Sequence, residues 1–294
     1  MFFLLFYYDI SLISIKMQTT KSKQNFYNQN GFVLVKKLLS KSSIKKIQKT
    51  ILNRSRFYIK NGKKYKSIYD KNFHSNLIKL KKKEPKKFGS LYDSIQKSLQ
   101  LYSIILEKKL TEHLKSLTKL SQENMSFNGE NIRMDLPNDK LHHLEWHQDR
   151  SYYFQNRDGN KGLVLWIPLI NLKKNIGPLR VCVSSHKDGF LDNYKKFRKN
   201  SKHSFQRKIY LKKKYKVFSE SLQEGDVIFM NKNTIHASGV NKSDFIRFSL
   251  QVRVHDLMDP NYLSFRHKII YNQDDIKSLK KRGFNTKDIE KIAI

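Results

Sequence analysis

The chain has 294 residues, enough for one large domain with a real core, and carries 59 Lys and Arg against 25 Asp and Glu, a formal net charge of +34. Lysine supplies 47 of the basic residues and arginine 12, with only two alanines in the whole chain, so the excess reads as scattered solvated lysine and disfavours an Arg-rich nucleic-acid groove. The single Cys182 excludes an intrachain disulfide, and no apolar run reaches the roughly 20 residues a spanning helix needs; a cytoplasmic enzyme is expected.

Residues 1–15 are apolar and aromatic, broken by Asp9, without the basic start and small-residue cleavage site of a signal peptide. Residues 1–25 are expected to be an extension, disordered or upstream of the true start, and 26–294 a single domain. Residues 40–55 read as a helix capped by Ser40, with Ile44, Ile47, Ile51 and Leu52 on one face. Residues 79–87 read as a basic loop around Pro85. A long helix is expected over 90–120, its buried stripe formed by Leu91, Ile95, Leu99, Tyr102, Leu106, Leu110, Leu114 and Leu117. Strands are expected at 131–136, 144–149, 163–170, 179–183, 227–229 and 245–254. Cys182 falls in an apolar run and reads as a small core residue. A basic insertion at 193–216 separates the middle strands from the distal ones, as a lid, a substrate contact or a solvated loop. The tail 274–294 has a helical pattern.

His147, Asp149 and His236 carry the most chemistry. On a strand, residues i and i+2 share a face, so the two residues of His147-Gln148-Asp149 can converge on one ion while Gln148 turns away. Two imidazoles and one carboxylate leave the remaining metal positions open, the arrangement of non-heme Fe(II) oxygenases. Arg247 follows His236 by eleven residues in a strand with Arg247, Ser249 and Gln251 on one face and Phe248, Leu250 and Val252 on the other. A buried anion would explain the polar face. Arg253 is read as the turn at the end of this pattern.

These motifs resemble the phytanoyl-CoA dioxygenase family over most of the chain from Phe26 to Pro260. The segment from Phe26 through Gly31-Phe32 to Val35 resembles the family's opening strand. His147-Gln148-Asp149 resembles its iron motif, and Trp166 stands where it has a tryptophan. Asn175-Ile176-Gly177-Pro178-Leu179 and Ser185-His186-Lys187-Asp188-Gly189 resemble its Asn-Gly and Ser-His signatures, with Val183-Ser184 in place of the usual Pro-Gly. The resemblance implies a mainly β fold with flanking helices, a double-stranded β-helix (jelly-roll, cupin-like) barrel. It implies Fe(II) held by His147, Asp149 and His236, and the far carboxylate of 2-oxoglutarate held by Arg247 and Ser238 beside Trp166. It also implies O2 as oxidant and succinate and CO2 as products. Asp149 favours hydroxylation, because halogenating relatives lack that carboxylate, and His186 is expected to be structural.

The substrate class is a small molecule, with an anionic one left open, and its contacts are expected at 77–90, 151–161 and 193–216, with Tyr152, Tyr153 and Phe154 beside the iron motif. Two other readings stay open: a cupin-like metal barrel doing non-oxidative chemistry, against which Arg247 speaks, and a basic nucleic-acid or membrane-surface binder, against which the intact ligand set speaks.

Overall fold

The computed structural model describes residues 19–60, 62–96, 98–139, 143–152, 161–191, 214–259 and 262. Six helices precede the main run of strands: α1 (Thr20–Asn30), α2 (Lys41–Ser55), α3 (Lys71–Lys83), α4 (Pro85–Ile95), α5 (Leu99–Ile105) and α6 (Lys108–Thr118). The strands are β1 (Phe32–Val35), β2 (Met125–Asp135), β3 (His147–Gln148), β4 (Gly162–Pro168), β5 (Arg180–Cys182), β6 (Val217–Phe218), β7 (Val227–Asn231), β8 (Ile235–Ala237) and β9 (Arg247–Asp256). They form two antiparallel sheets, β1-β7-β4-β9-β2 and β3-β8-β5-β6. This is the two-sheet arrangement of a double-stranded β-helix with helices added, as expected.

The larger sheet has two chemically different faces. Phe248, Leu250, Val252 and Val254 of β9 are buried in one apolar core with Ile132 and Met134 of β2 and the inward residues of the helices. The opposite face of β9 carries Arg247, Ser249, Gln251, Arg253 and His255, because side chains alternate along a strand. The cross-strand register extends this face. Asp135 lies opposite Arg247; Arg133 and Pro168 flank Ser249; Trp166 lies opposite Gln251, and Val164 opposite Arg253. On this face Arg247, Ser249 and His255 are buried and Gln251 and Arg253 partly so, and each needs a partner or a ligand.

Several expectations are corrected here. Ser40 does cap α2, its Oγ accepting from the Ser43 N–H at 3.1 Å. The long helix over 90–120 is instead three pieces, because Ser98 caps a new helix and accepts from the Gln100 N–H at 3.2 Å. The break turns Leu99, Tyr102 and Leu106 out to solvent, while Leu91, Ile95, Leu110, Leu114 and Leu117 stay buried. Residues 79–87 are no loop: α3 runs to Lys83 and Pro85 opens α4 at the position where a missing N–H costs nothing. Helix α1 begins at Thr20, within the residues expected as an extension. Gln24 Nε2 donates to the Ser116 carbonyl at 2.9 Å and Lys119 Nζ to Gln24 Oε1 at 2.8 Å, tying α1 to α6. The strand of 245–254 is displaced to Arg247–Asp256, which places Arg253 on its buried polar face and not at a turn. Residues 1–18, 153–160, 192–213 and 263–294 lie outside the described residues, and with them the apolar N-terminus, Tyr153, Phe154, most of the insertion and the tail.

Candidate metal centre

His147 and His236 face each other across a strand pair, His147 on β3 opposite His236 on β8. Asp149 does not lie on an extended strand, as the spacing argument expects; β3 ends at Gln148 and Asp149 opens a 3-10 turn. The turn still brings the carboxylate to the imidazoles. Asp149 Oδ1 is 3.3 Å from His147 Nε2 and 3.5 Å from His236 Nε2, and the two rings are 4.2 Å apart between centroids. One ligand atom from each residue lies within 4.8 Å of the others, and all three residues are buried.

The rest of each side chain is fixed so that the ligand atom faces inward. Nδ1–H of His147 donates to the Glu145 carbonyl at 2.6 Å, and that of His236 to the Thr234 carbonyl at 3.0 Å. Nε2 of each ring then carries the lone pair, which is how metal-binding imidazoles are oriented. Burial, with the neighbouring His147, pushes His236 down to about 4 against the pull of Asp149, so the ring is neutral near pH 7. Burial alone would raise the Asp149 carboxyl. The Arg253 guanidinium outweighs it and holds the group far below the ordinary carboxylate range. Asp149 is therefore an anion and both conditions for metal binding are met. Gln148 turns away, as expected: its Nε2 donates to the Gly189 and Asn233 carbonyls at 2.7 and 2.6 Å, and its Oε1 accepts from the Leu191 N–H at 2.9 Å.

Arg247 is buried and heavily bonded. Nε and Nη2 donate to Asp135 Oδ2 at 3.2 and 2.9 Å, and Nη1 donates to the carbonyls of Gly177 and, at 3.1 Å, Gly239. The guanidinium fork that the sequence reading gives to a co-substrate carboxylate is thus engaged by Asp135. Asp135 also accepts from Arg133 Nη2 at 2.6 Å. Burial would raise the Asp135 carboxyl, but the charges of Arg247 and Arg133 hold it below its usual value. Of the five guanidinium N–H groups, these bonds leave one, on Nη2. Two residues along the same strand face, Ser249 Oγ is buried with no hydrogen-bond partner. The N–H of Arg247 outside these bonds and the orphaned Ser249 hydroxyl, two residues apart on one strand face, are donors suited to a ligand carboxylate. Gly177 makes the arrangement possible. Its φ is +73°, and a Cβ there would lie 2.5 Å from the Gly239 carbonyl oxygen, so only glycine lets the two carbonyls share one guanidinium.

Ser238 and Trp166 are buried, Trp166 on β4 opposite Gln251. The Ser238 N–H donates to the Leu144 carbonyl at 2.9 Å, and its carbonyl accepts from Arg180 Nη2 at 3.2 Å. His186 is not among the three grouped side chains; its Nε2 bonds the Asn28 carbonyl at 3.0 Å. Ser184, where the family resemblance expects glycine, sits at φ +63°, its N–H donating to the Asn30 carbonyl and its Oγ to the Gln29 carbonyl. Burial pushes the Cys182 thiol up to about 12, as befits a core residue. A cavity of about 260 Å³ opens between α3, α4 and β2, with Asp135 and Arg133 in its wall. Sequence reasoning missed Asp135 and Arg253; the one available signal was the alternation of β9, which continues past Val252.

The profile of the phytanoyl-CoA dioxygenase family matches residues 27–249. The chain belongs to that family. This places it among the iron- and 2-oxoglutarate-dependent oxygenases, and solved structures agree on the fold. The non-heme α-ketoglutarate-dependent epimerase SnoN of nogalamycin biosynthesis is 14% identical, with a TM-score of 0.55 over 86% of this chain and 90% of that one. The carbocyclase SnoK of the same biosynthesis is 16% identical, with a TM-score of 0.51 over 81% and 85%. EctD from S. alaskensis, solved with 2-oxoglutarate and 5-hydroxyectoine, is 12% identical, with a TM-score of 0.55 over 80% and 76%. No curated protein matches the sequence. Among the described residues, no helix is long and apolar enough to cross a membrane.

Proposed function

We propose that this protein is an Fe(II)- and 2-oxoglutarate-dependent hydroxylase of a small molecule, with His147, Asp149 and His236 as the iron ligands. The convergence of those three side chains in a buried site carries the reading. Iron with 2-oxoglutarate supplies an oxidant for an unactivated C–H bond, as the co-substrate is decarboxylated to succinate and CO2. The chain's own part is placement. The two imidazoles present Nε2, and Asp149 presents a charged oxygen. The remaining N–H of Arg247 and the Ser249 hydroxyl receive the far carboxylate, with Trp166 and Ser238 beside them. The burial of all three side chains keeps bulk water from the reacting centre. SnoN and SnoK are named an epimerase and a carbocyclase, so the fold hosts more than one reaction. A carboxylate at position 149 occupies the place a halide would take and supports hydroxylation.

The excess of positive charge would steer an anionic substrate toward the cleft, and a cytoplasmic location accords with the lone buried cysteine. The test is anaerobic titration with Fe(II) and 2-oxoglutarate. The metal-to-ligand charge-transfer band should appear with the parent protein and vanish in His236→Ala, and succinate release should identify the substrate from a panel. A His236→Ala protein that forms the band and consumes 2-oxoglutarate as the parent does would sink the assignment.

A further inference from the structure

The two oxygens of Asp149 have different partners. Oδ1 faces both imidazole Nε2 atoms, at 3.3 and 3.5 Å. Oδ2 accepts from Arg253 Nε at 3.0 Å, a contact between residues 104 positions apart. The pair is shielded from water: the side chains of Arg253 and Asp149 are 13% and 4% exposed. A charge-assisted hydrogen bond in such a place is short, directional and hard to replace with solvent. The main chain of the ligand segment is anchored separately. The Gln148 side chain makes three hydrogen bonds to the main chain of other segments, and the Arg150 N–H donates to the Lys232 carbonyl at 2.9 Å. With the backbone fixed, the freedom left to Asp149 is rotation of its carboxylate, and that rotation is what Arg253 removes.

A free carboxylate can bind a metal through one oxygen or through both. Two imidazoles and a one-oxygen carboxylate fill three positions of a six-coordinate ion, leaving two for a bidentate keto acid and one for O2. A carboxylate chelating through both oxygens would take one of those positions. We propose that Arg253 is a positioning residue for this centre: by holding Oδ2, it restricts Asp149 to binding through Oδ1 and keeps the third position open. The inference rests on the iron and 2-oxoglutarate reading above. A guanidinium holds Oδ2 more firmly than an ammonium would, because Nε–H points in a fixed direction whereas an ammonium is a mobile point charge. Partners that orient a metal ligand in this way commonly change affinity or activity by about 10- to 100-fold when removed.

The test uses Co(II) as an air-stable probe of the whole chain. Wild type, Arg253→Met and Arg253→Gln are loaded with Co(II), their visible ligand-field spectra recorded, and each titrated with 2-oxoglutarate. Both variants should retain Co(II), show an altered spectrum before co-substrate is added, and bind 2-oxoglutarate at least about tenfold more weakly. Arg253→Lys, long enough to reach Oδ2, should recover part of that loss. A merely structural ion pair would lower the melting temperature and leave spectrum and co-substrate affinity as in wild type; that result overturns the proposal. If Arg253→Met fails to fold, the same two readouts on Arg253→Gln decide. Wild type that takes up no Co(II) would instead refute the metal assignment itself, an outcome distinct from loss confined to the variants.

Discussion

Arg247→Lys separates what this residue does for the fold from what it does for a ligand. Lysine keeps a positive charge for Asp135, but a single nitrogen cannot also reach the Gly177 and Gly239 carbonyls that Nη1 now satisfies. Leaving a buried acceptor unpaired costs about 1–3 kcal/mol. With two carbonyls affected and some relaxation, the loss is about 2–4 kcal/mol. A domain of this size loses roughly 2–4 °C of melting temperature per kcal/mol, so the metal-free variant should melt about 5–15 °C below the parent. Differential scanning fluorimetry on metal-free protein, backed by a urea titration, measures this without any co-substrate. Co(II) uptake should be unaffected, since Arg247 contacts none of the three ligands among its hydrogen bonds, while 2-oxoglutarate affinity falls with the loss of its remaining N–H. A melting temperature within about 1 °C of the parent would refute the claim that the guanidinium holds the two glycine loops together.

The same loop contact predicts that Gly177→Ala loses about 2 kcal/mol or more, from its positive φ and a Cβ only 2.5 Å from the Gly239 oxygen; an unchanged urea midpoint would show that the loops separate in solution. His74 gives a pH prediction. It is fully buried, its Nε2 bonds the Ile68 carbonyl at 2.6 Å, its Nδ1 accepts from the Ile246 N–H at 2.9 Å, and burial pushes it down to about 4. The folded value lies below the unfolded one of about 6.5, so the contribution is complete above pH 6.5 and lost as pH falls toward 4, by about 3 kcal/mol. His74→Gln, neutral throughout, should reduce the slope of the stability–pH curve across that window, and an equal slope in both proteins would refute the assignment. Finally, lysines scattered over the surface should bind duplex DNA weakly, with a salt dependence that reports diffuse contacts; a tight sequence-selective complex at physiological salt would reverse the ranking of enzyme over nucleic-acid binder.

Short-range patterns were legible in the residues themselves: alternation in β9, the apolar run of β4, and a His-x-Asp spacing whose two side chains converge even though Asp149 falls in a turn. The double-stranded β-helix was legible only through the resemblance to the family. Local capping was legible where one residue decides it, as at Ser40, but the apolar stripe of 90–120 gave no sign that Ser98 would restart the helix and expose Leu99, Tyr102 and Leu106. The partners of the buried charges were not legible at all. Arg247 finds Asp135 from 112 positions away and Arg253 finds Asp149 from 104, and neither pairing leaves a local trace. Only the register of β2 against β9, and the packing of β9 against the turn after β3, brings those charges within hydrogen-bond distance. Once they are buried together each must be paired, because an isolated charge away from water costs more than the fold can supply.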